Sequence, residues 1–216
     1  MDTLVQSAAV ELWTWLEVLR LRGSLSAASL ASVVWPRTLK TLVFDGDFDN
    51  AVAAVSLPKH LQQLSFGNKF DKTIDGIAWP NFLKQITFRC SFNQPIAGIV
   101  WPAFLLQLSF GYYFNQPITE VAWPASLQKL AFGAFFNRPI TGVVWPACLQ
   151  QQSFGSNFNQ ALTGIVWPAS LQQLSFGYDF DQPVAGVVWP ASLQQLSSGY
   201  YFKQPITGVV WPASLQ

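Results

Sequence analysis

Residues 101–122 read WPAFLLQLSFGYYFNQPITEVA, and the stretch that follows, 123–144, reads WPASLQKLAFGAFFNRPITGVV. Close variants of this unit follow one another without insertion along most of the chain. Each unit starts with a Trp-Pro pair, and these tryptophans occur at positions 35, 79, 101, 123, 145, 167, 189 and 211, with Leu57-Pro58 in the one remaining place. The constant 22-residue period indicates a repeat protein.

A unit of this length cannot bury its own apolar side chains, so the units must stack and share a core. The sequence therefore predicts a repeat solenoid of the leucine-rich-repeat type, with a parallel β-sheet on the concave side and 3₁₀ or extended segments outside. The proline after each tryptophan and a second proline inside the unit, as at Pro117, leave no room for a helix in each coil. Eight or nine coils spaced about 4.8 Å apart would form a body about 40 Å long.

The strand of each unit is predicted from the pattern L-x-x-L-x-F-G. Leu105, Leu108 and Phe110 point inward in this interpretation, and the residues between them point outward, as alternation along a strand requires. A second inward column contains Phe114, and Ile118 follows it. The glycine after each strand is expected to have a positive φ or to lie close to a neighbouring backbone.

Residues 1–36 are predicted to form an N-terminal cap and a degenerate first repeat, and residues 37–216 to form the array. Apolar residues at positions 4, 8, 12, 15, 16 and 19 have the spacing of a short amphipathic helix that runs to about Leu16. Residues 16–23 then have the spacing of a strand. The helix would cover the open end of the solenoid.

The repeat resembles the FNIP family, relatives of the leucine-rich repeats with a 22-residue unit, over about residues 37–216. The signature F-N-x-P stands at Phe92-Asn93-Gln94-Pro95, Phe114-Asn115-Gln116-Pro117 and Phe136-Asn137-Arg138-Pro139, with departures at Asp181 and Lys203. The resemblance implies a curved solenoid found in protists such as slime moulds, with interaction as its role. No F-box or kinase motif accompanies the repeats, so neither of those roles is implied.

The position of the signature asparagine argues against one feature of ordinary leucine-rich repeats. Their asparagine lies three residues after the last strand leucine, whereas Asn115 lies five residues after Phe110. An internal ladder of asparagines is therefore not expected here.

The outward strand positions are the predicted binding surface, because amide, hydroxyl and tyrosine groups make adaptable contacts with a protein partner. They form a neutral stripe edged by tyrosine. The predicted partner-binding residues are Gln63, Gln85, Gln107, Ser109, Tyr112, Lys129, Gln151, Gln173, Ser175, Tyr178, Gln195 and Tyr200. An alternative is that duplication of the repeat copied a solubilising stripe.

Two other functions compete with that of a protein-binding scaffold. A carbohydrate-binding or ice-binding solenoid would need a flat rank of threonines, but Thr41 and Thr87 are the only threonines on the strand face. A self-assembly module is the other alternative, because the chain stops at Gln216 before another strand. Either the array continues beyond this point, or the uncapped edge pairs end to end with another copy.

Catalytic and metal-binding chemistry are not predicted. The Trp column is assigned to the core because Leu57 also occupies it. Residues 45–50 resemble the start of a calcium loop, but they lack its glycine, and Ser56 replaces its final glutamate. His60, the one histidine, is predicted to be an exposed surface residue. No cofactor and no enzymatic activity are expected.

Charge and cysteine content indicate the compartment and the class of partner. The 12 basic and 11 acidic residues nearly cancel, which argues against binding to nucleic acid or to a membrane surface. Seventeen of these charged side chains lie within residues 1–100, so the later repeats have little charge to keep copies apart. Cys90 and Cys148 lie in different phases of the repeat, so no bridge is expected. No signal peptide or membrane span is recognised, and a cytoplasmic location is expected.

Two substitutions place polar groups in the predicted core. Gln152 replaces the second strand leucine and Ser198 replaces the strand phenylalanine. Each loses apolar contacts at a cost on the order of 2–4 kcal/mol, so the chain is expected to be locally looser there and its amides to exchange faster than those around Leu174.

Overall fold

The computed structural model describes residues 15–23, 27–53 and 55–216, and in them the chain forms nine parallel strands and one short helix. The strands are β1 (Val18–Arg22), β2 (Thr41–Asp45), β3 (Gln63–Ser65), β4 (Gln85–Thr87), β5 (Gln107–Ser109), β6 (Lys129–Ala131), β7 (Gln151–Ser153), β8 (Gln173–Ser175) and β9 (Gln195–Ser197). Helix α1 (Ala27–Ala31) lies between β1 and β2. The strands lie in one sheet in chain order, so the predicted solenoid is confirmed.

The register of the sheet follows the repeat. Thr41 pairs with Gln63, and every later strand pairs with the same 22-residue offset. The first pair, Val18 with Thr41, has an offset that is larger by one. Residues 16–23 therefore belong to a first coil that is one residue longer than the others, and the helix predicted before it falls mainly on residues 1–14, which lie outside the described residues.

Three turns divide each coil into three sides, and the coil that starts at Gln107 shows the pattern. The turns are closed by backbone N–H groups of Phe114, Val121 and Leu127, which donate to the carbonyls of Gly111, Ile118 and Pro124. We call residues 107–110 the strand side, 114–118 the asparagine side and 121–124 the valine side, and use the same names in the equivalent positions of the other coils. Of the 3₁₀ or extended segments that were predicted outside the sheet, the described residues show extended segments and single turns.

The core is a continuous column of aromatic and aliphatic side chains along the axis. Phe88 and Phe110 lie in adjacent coils with ring centroids 5.7 Å apart, and Phe110 stacks on Phe114 of its own coil at 4.1 Å. Both phenylalanine columns and the leucines of the strand pattern are buried, as predicted. Because each unit shares its rings with the next, no single coil could bury them alone.

Two kinds of glycine recur in the coil, and they serve different purposes. Gly142, on the turn before the valine side, has a φ of 82°. Gly155, after strand β7, does not have a positive φ, but a Cβ there would lie 2.0 Å from the carbonyl oxygen of Gly133. Close backbone approach therefore explains the glycines after β3 and β5 to β9, whereas Gly23 and Gly46, after β1 and β2, have a positive φ.

An internal ladder of asparagine and aspartate side chains runs along the asparagine side, so the expectation that no such ladder exists is wrong. The Asn93 side-chain oxygen accepts the backbone N–H of Asn115 at 2.9 Å, and the Asn115 oxygen accepts that of Asn137 at 3.0 Å. Asp181 continues the ladder by accepting the backbone N–H of Lys203 at 2.8 Å. The side chains reach along the axis to the next coil, so their distance from the strand does not prevent the contact.

Gln152 points into the core, as predicted, and is 2% exposed. Its amide nitrogen makes one long hydrogen bond of 3.4 Å to the carbonyl of Ser153, and its side-chain oxygen has no partner. Ser198, which was predicted to lie in the core, is exposed in the last described coil.

Candidate functional site

The strand side carries the predicted binding residues in register. Exposed members are Gln63, Tyr112, Lys129, Tyr178, Gln195 and Tyr200, and half-buried members are Gln85, Gln107, Ser109, Gln151, Gln173 and Ser175. Within the described part of the chain, Gln63 is the one outward-facing glutamine of this side whose amide is hydrogen-bonded, as it accepts from Thr41 at 3.4 Å. The other outward-facing amides are available to a ligand.

A groove with a volume of about 390 Å³ runs over strands β5 to β9. Seven of the predicted residues line it, namely Gln107, Ser109, Lys129, Gln151, Gln173, Ser175 and Gln195. Gln63 and Gln85 lie on the same side but outside the groove. Lys129 is the one charged side chain in its lining, so the groove is polar and almost neutral.

Two clusters of exposed aromatic rings lie on the turn that follows the strands. We call Tyr112, Tyr113 and Phe135 the first aromatic cluster, whose ring centroids are 5.0 to 5.4 Å apart. Tyr178, Tyr200 and Tyr201 form the second aromatic cluster, with centroids 5.0 to 5.3 Å apart. Equivalent positions in the two clusters are three coils apart, so both border the coils that form the groove.

Three residues of these clusters were not among the binding residues predicted from the sequence. Tyr113, Phe135 and Tyr201 are exposed, at 40 to 50% of their maximal area, and they complete the clusters begun by the predicted tyrosines. The signal was present in the aromatic doublets, such as Phe135-Phe136. Phe136 belongs to the inward column, so its neighbour has to face outward.

A group of charged side chains, Asp45, Arg22 and Arg89, lies near β1, β2 and β4, outside the lining of the groove. The backbone N–H of Gly46 is the largest of the effects that hold the pKa of the Asp45 carboxyl below its ordinary value of 3.8. Burial, the second-largest effect, raises that pKa, and the charges of Arg22 and Arg89 lower it. Asp45 lies 3.4 Å from Arg22 and 3.7 Å from Arg89. These carboxylate contacts are internal to the array.

The aspartates of the calcium-like loop contact residues of the next coil. Asp47 pairs with Lys69 at 3.0 Å and Asp49 with Lys72 at 2.7 Å. Asp49 also accepts the backbone N–H of Asp71 and so occupies the ladder. Across residues 15–23, 27–53 and 55–216, no group of three or more histidine, cysteine or acidic residues could hold a metal ion.

The remaining candidate residues occupy surface or structural positions. His60 is exposed and its ring lies 5.8 Å from that of Phe82. Cys90 and Cys148 are exposed and unpaired. The tryptophans of the column from Trp35 to Trp189 lie in or against the core, which agrees with a structural role. None of the helical segments in the described part of the chain has the length and hydropathy needed to span a bilayer.

Comparison with known proteins identifies the repeat. The family model described as FNIP Repeat matches residues 92–135 and 136–179. No curated protein matched the chain. The crystal structure of CroV588, described as a novel circular LRR protein, is similar with a TM-score of 0.83 and 38% sequence identity.

The similarity to CroV588 covers most of this chain but only part of that protein. It covers 92% of this chain but 29% of the CroV588 chain, so the sequence spans less than a third of that protein. The family match, the 22-residue register and the stacked parallel strands agree with one another. The chain is thus a leucine-rich-repeat-like solenoid, and its residues 92–179 match the FNIP repeat.

Proposed function

We propose that the array is a non-catalytic scaffold whose strand side binds a protein partner. The observation that carries the proposal is the neutral groove over β5 to β9 with an exposed aromatic cluster beside each end. Tyrosine side chains are enriched among residues that dominate protein interfaces, because they bury a large area with little loss of conformational freedom. Unpaired glutamine amides supply donors and acceptors between them.

The partner would run along the solenoid axis to contact both aromatic clusters. Equivalent rings, such as Tyr112 and Tyr178, are three coils apart, or about 14 Å at the usual strand spacing. That distance is within reach of one protein surface, whose hot spots typically lie near the centre of the interface. Lys129 lies on β6, in the same coil as Phe135 of the first aromatic cluster, and would meet a polar or acidic group.

The test is retention of a partner by immobilised protein. The double variant Gln173→Glu, Tyr178→Ala should weaken binding about tenfold or more, because it places a charge in the groove and removes a ring from the second aromatic cluster. Ala161→Glu is the matched control, since it adds the same charge at an exposed position on the asparagine side. Equal retention by all three proteins would reject the strand side as the binding surface.

A carbohydrate ligand is less favoured by the geometry of the second aromatic cluster. Tyr178 and Tyr200 stack with centroids 5.0 Å apart and an interplanar angle of 5°, so each ring covers one face of the other. Sugar rings are bound through free aromatic faces, and this stacking reduces the number available.

Self-assembly through the C-terminal end of the array is a second candidate, because the similar CroV588 structure is described as circular and this chain covers 29% of it. Trp211 lies in the last described coil. If this end joins copies, Trp211→Glu should reduce the mass in solution to that of one chain.

A further inference from the structure

The valine side presents a column of exposed apolar side chains that the proposed function does not use. Val100, Val144, Val166, Val188 and Val210 stand in equivalent positions and are each 80 to 84% exposed. Each precedes a tryptophan of the core, so the backbone fixes its outward direction. Exposed alanines border the column on one side, and the turn before it carries exposed threonine or alanine.

This surface also continues onto larger apolar groups. Phe82 and Phe104 are 55% and 66% exposed and stand on the turn that follows the valine side. Single exposed apolar residues are ordinary, but a contiguous series across many coils marks an interaction surface. No other side of the coil, within the described residues, combines such exposure with so few polar groups.

Charge on this surface is almost absent. In residues 97–216, all of which the structure describes, Glu120 is the one acidic or basic residue on the valine side and its two bordering turns. Two such surfaces can approach without like-charge repulsion. A nucleic acid or a charged protein surface would lose hydration here without gaining a counter-charge.

The repeat spacing of the valine column favours a binding partner with the same spacing. From Val144 to Val210 the valines repeat in adjacent coils at the strand spacing of about 4.8 Å, and Ala122 stands in the place between Val100 and Val144. An identical column offers matching ridges at the coils that carry valine. The valine side with a residue of each bordering turn is about six residues or 20 Å across, so six coils give roughly 600 Å² per protomer. The total of about 1,200 Å² is at the lower limit for a specific interface.

We propose that the valine side is a dimer interface whose occupant is the valine side of a second copy of this chain. A two-fold arrangement makes the contact self-complementary and closed, so it yields dimers and not filaments. The strand side takes no part in the contact. A dimer would therefore present two grooves, which would strengthen binding to a partner with two equivalent epitopes.

Mass in solution, measured by sedimentation across a concentration series, tests the proposal. The protein should approach twice its 24.0 kDa chain mass as concentration rises. The double variant Val166→Asp, Val188→Asp should lose the dimer, because the new charges would be buried against each other. Gln173→Asp, Gln195→Asp adds the same charges to the strand side and should remain dimeric.

A second measurement locates the interface directly. In a Cys90→Ser, Cys148→Ser background, a cysteine introduced at Val144, Val166 or Val188 should form a disulfide between copies where the two-fold axis passes. A cysteine at Gln173 should stay unlinked. Circular dichroism equal to that of the wild type shows that each variant is folded.

Three outcomes would overturn the proposal. If the wild type keeps the mass of one chain at all concentrations, it does not dimerise. Dimers that persist in the valine double variant, whatever the strand-side control does, place the contact elsewhere. Association abolished by Trp211→Glu alone assigns it to the end of the array.

Discussion

At the residue scale, the asparagine ladder shows how one side chain can serve two coils. Each Asn or Asp accepts a backbone N–H from the coil after it, and glutamines such as Gln116 and Gln182 add a second donor to the same oxygen. The backbone of the asparagine side has no sheet partner in the described residues, so these bonds satisfy donors that would otherwise be unpaired. Sequence spacing within one coil could not reveal a contact that is made between coils.

Acid sensitivity is one consequence of the aspartate in that ladder. The backbone N–H of Lys203 and the amide of Gln204 lower the pKa of Asp181 from its ordinary value of 3.8. A folded-state pKa below the unfolded one contributes stability above the unfolded value, and this contribution is lost as pH falls through the folded value. Asp181→Asn keeps the acceptor oxygen but cannot be protonated in this range.

Urea unfolding of the two proteins from neutral pH to below pH 3.8 measures this effect. Both should lose stability in acid, because Asp45 and Asp49 also have lowered pKa values, but Asp181→Asn should lose less. Parallel pH profiles for both proteins would show that the Asp181 contact does not bias protonation.

Gln152 gives a second prediction at this scale. Its side-chain oxygen is buried without a partner, and the same column holds leucine in the coils on either side. Gln152→Leu should therefore raise the free energy of unfolding by about 1–3 kcal/mol, because the desolvated oxygen is removed and apolar contacts are gained.

The midpoint of urea unfolding measures the Gln152→Leu change. Gln151→Leu, at the half-buried neighbouring position on the strand side, is the control and should change stability little. If Gln152→Leu is no more stable than the wild type, the inference that the buried Gln152 side chain destabilises the fold is wrong.

At the element scale, a glycine after β3 and after each strand from β5 to β9 lets the backbones of adjacent coils approach closely. A Cβ at Gly155 would lie 2.0 Å from the Gly133 carbonyl oxygen, and both atoms belong to backbone that the sheet holds in place. A Cβ at Gly142 would meet nothing within 4 Å, and its cost would come from its φ of 82° alone. The two glycines look alike in the sequence, which explains why only the structure separates their purposes.

Substitution by alanine should distinguish these two glycines. Gly142→Ala should cost about 1–2 kcal/mol, the strain of a left-handed residue with a side chain. Gly155→Ala should cost at least about 3 kcal/mol, because two coils have to move apart. Thermal unfolding of both variants makes the comparison, and equal losses would mean that the coils separate easily.

At the scale of the whole molecule, the repeat period was sufficient to predict the fold. Period 22 and the alternation of Leu105, Leu108 and Phe110 predicted stacked coils and their inward columns, because each coil meets only its neighbours. The binding surface was predicted only as a stripe. The groove and the two aromatic clusters depend on how side chains from different coils come together, and the sequence does not contain that distance information.

The direction of the hydrogen bonds between strands has a mechanical consequence. The nine strands are stacked along the axis, so their bonds run nearly parallel to it. A pull between the two ends acts along these bonds and opens them one coil at a time, as a zipper opens. Each unfolded 22-residue coil adds roughly 70 Å of extended chain. The molecule therefore lengthens in steps under tension, and the remaining coils stay folded.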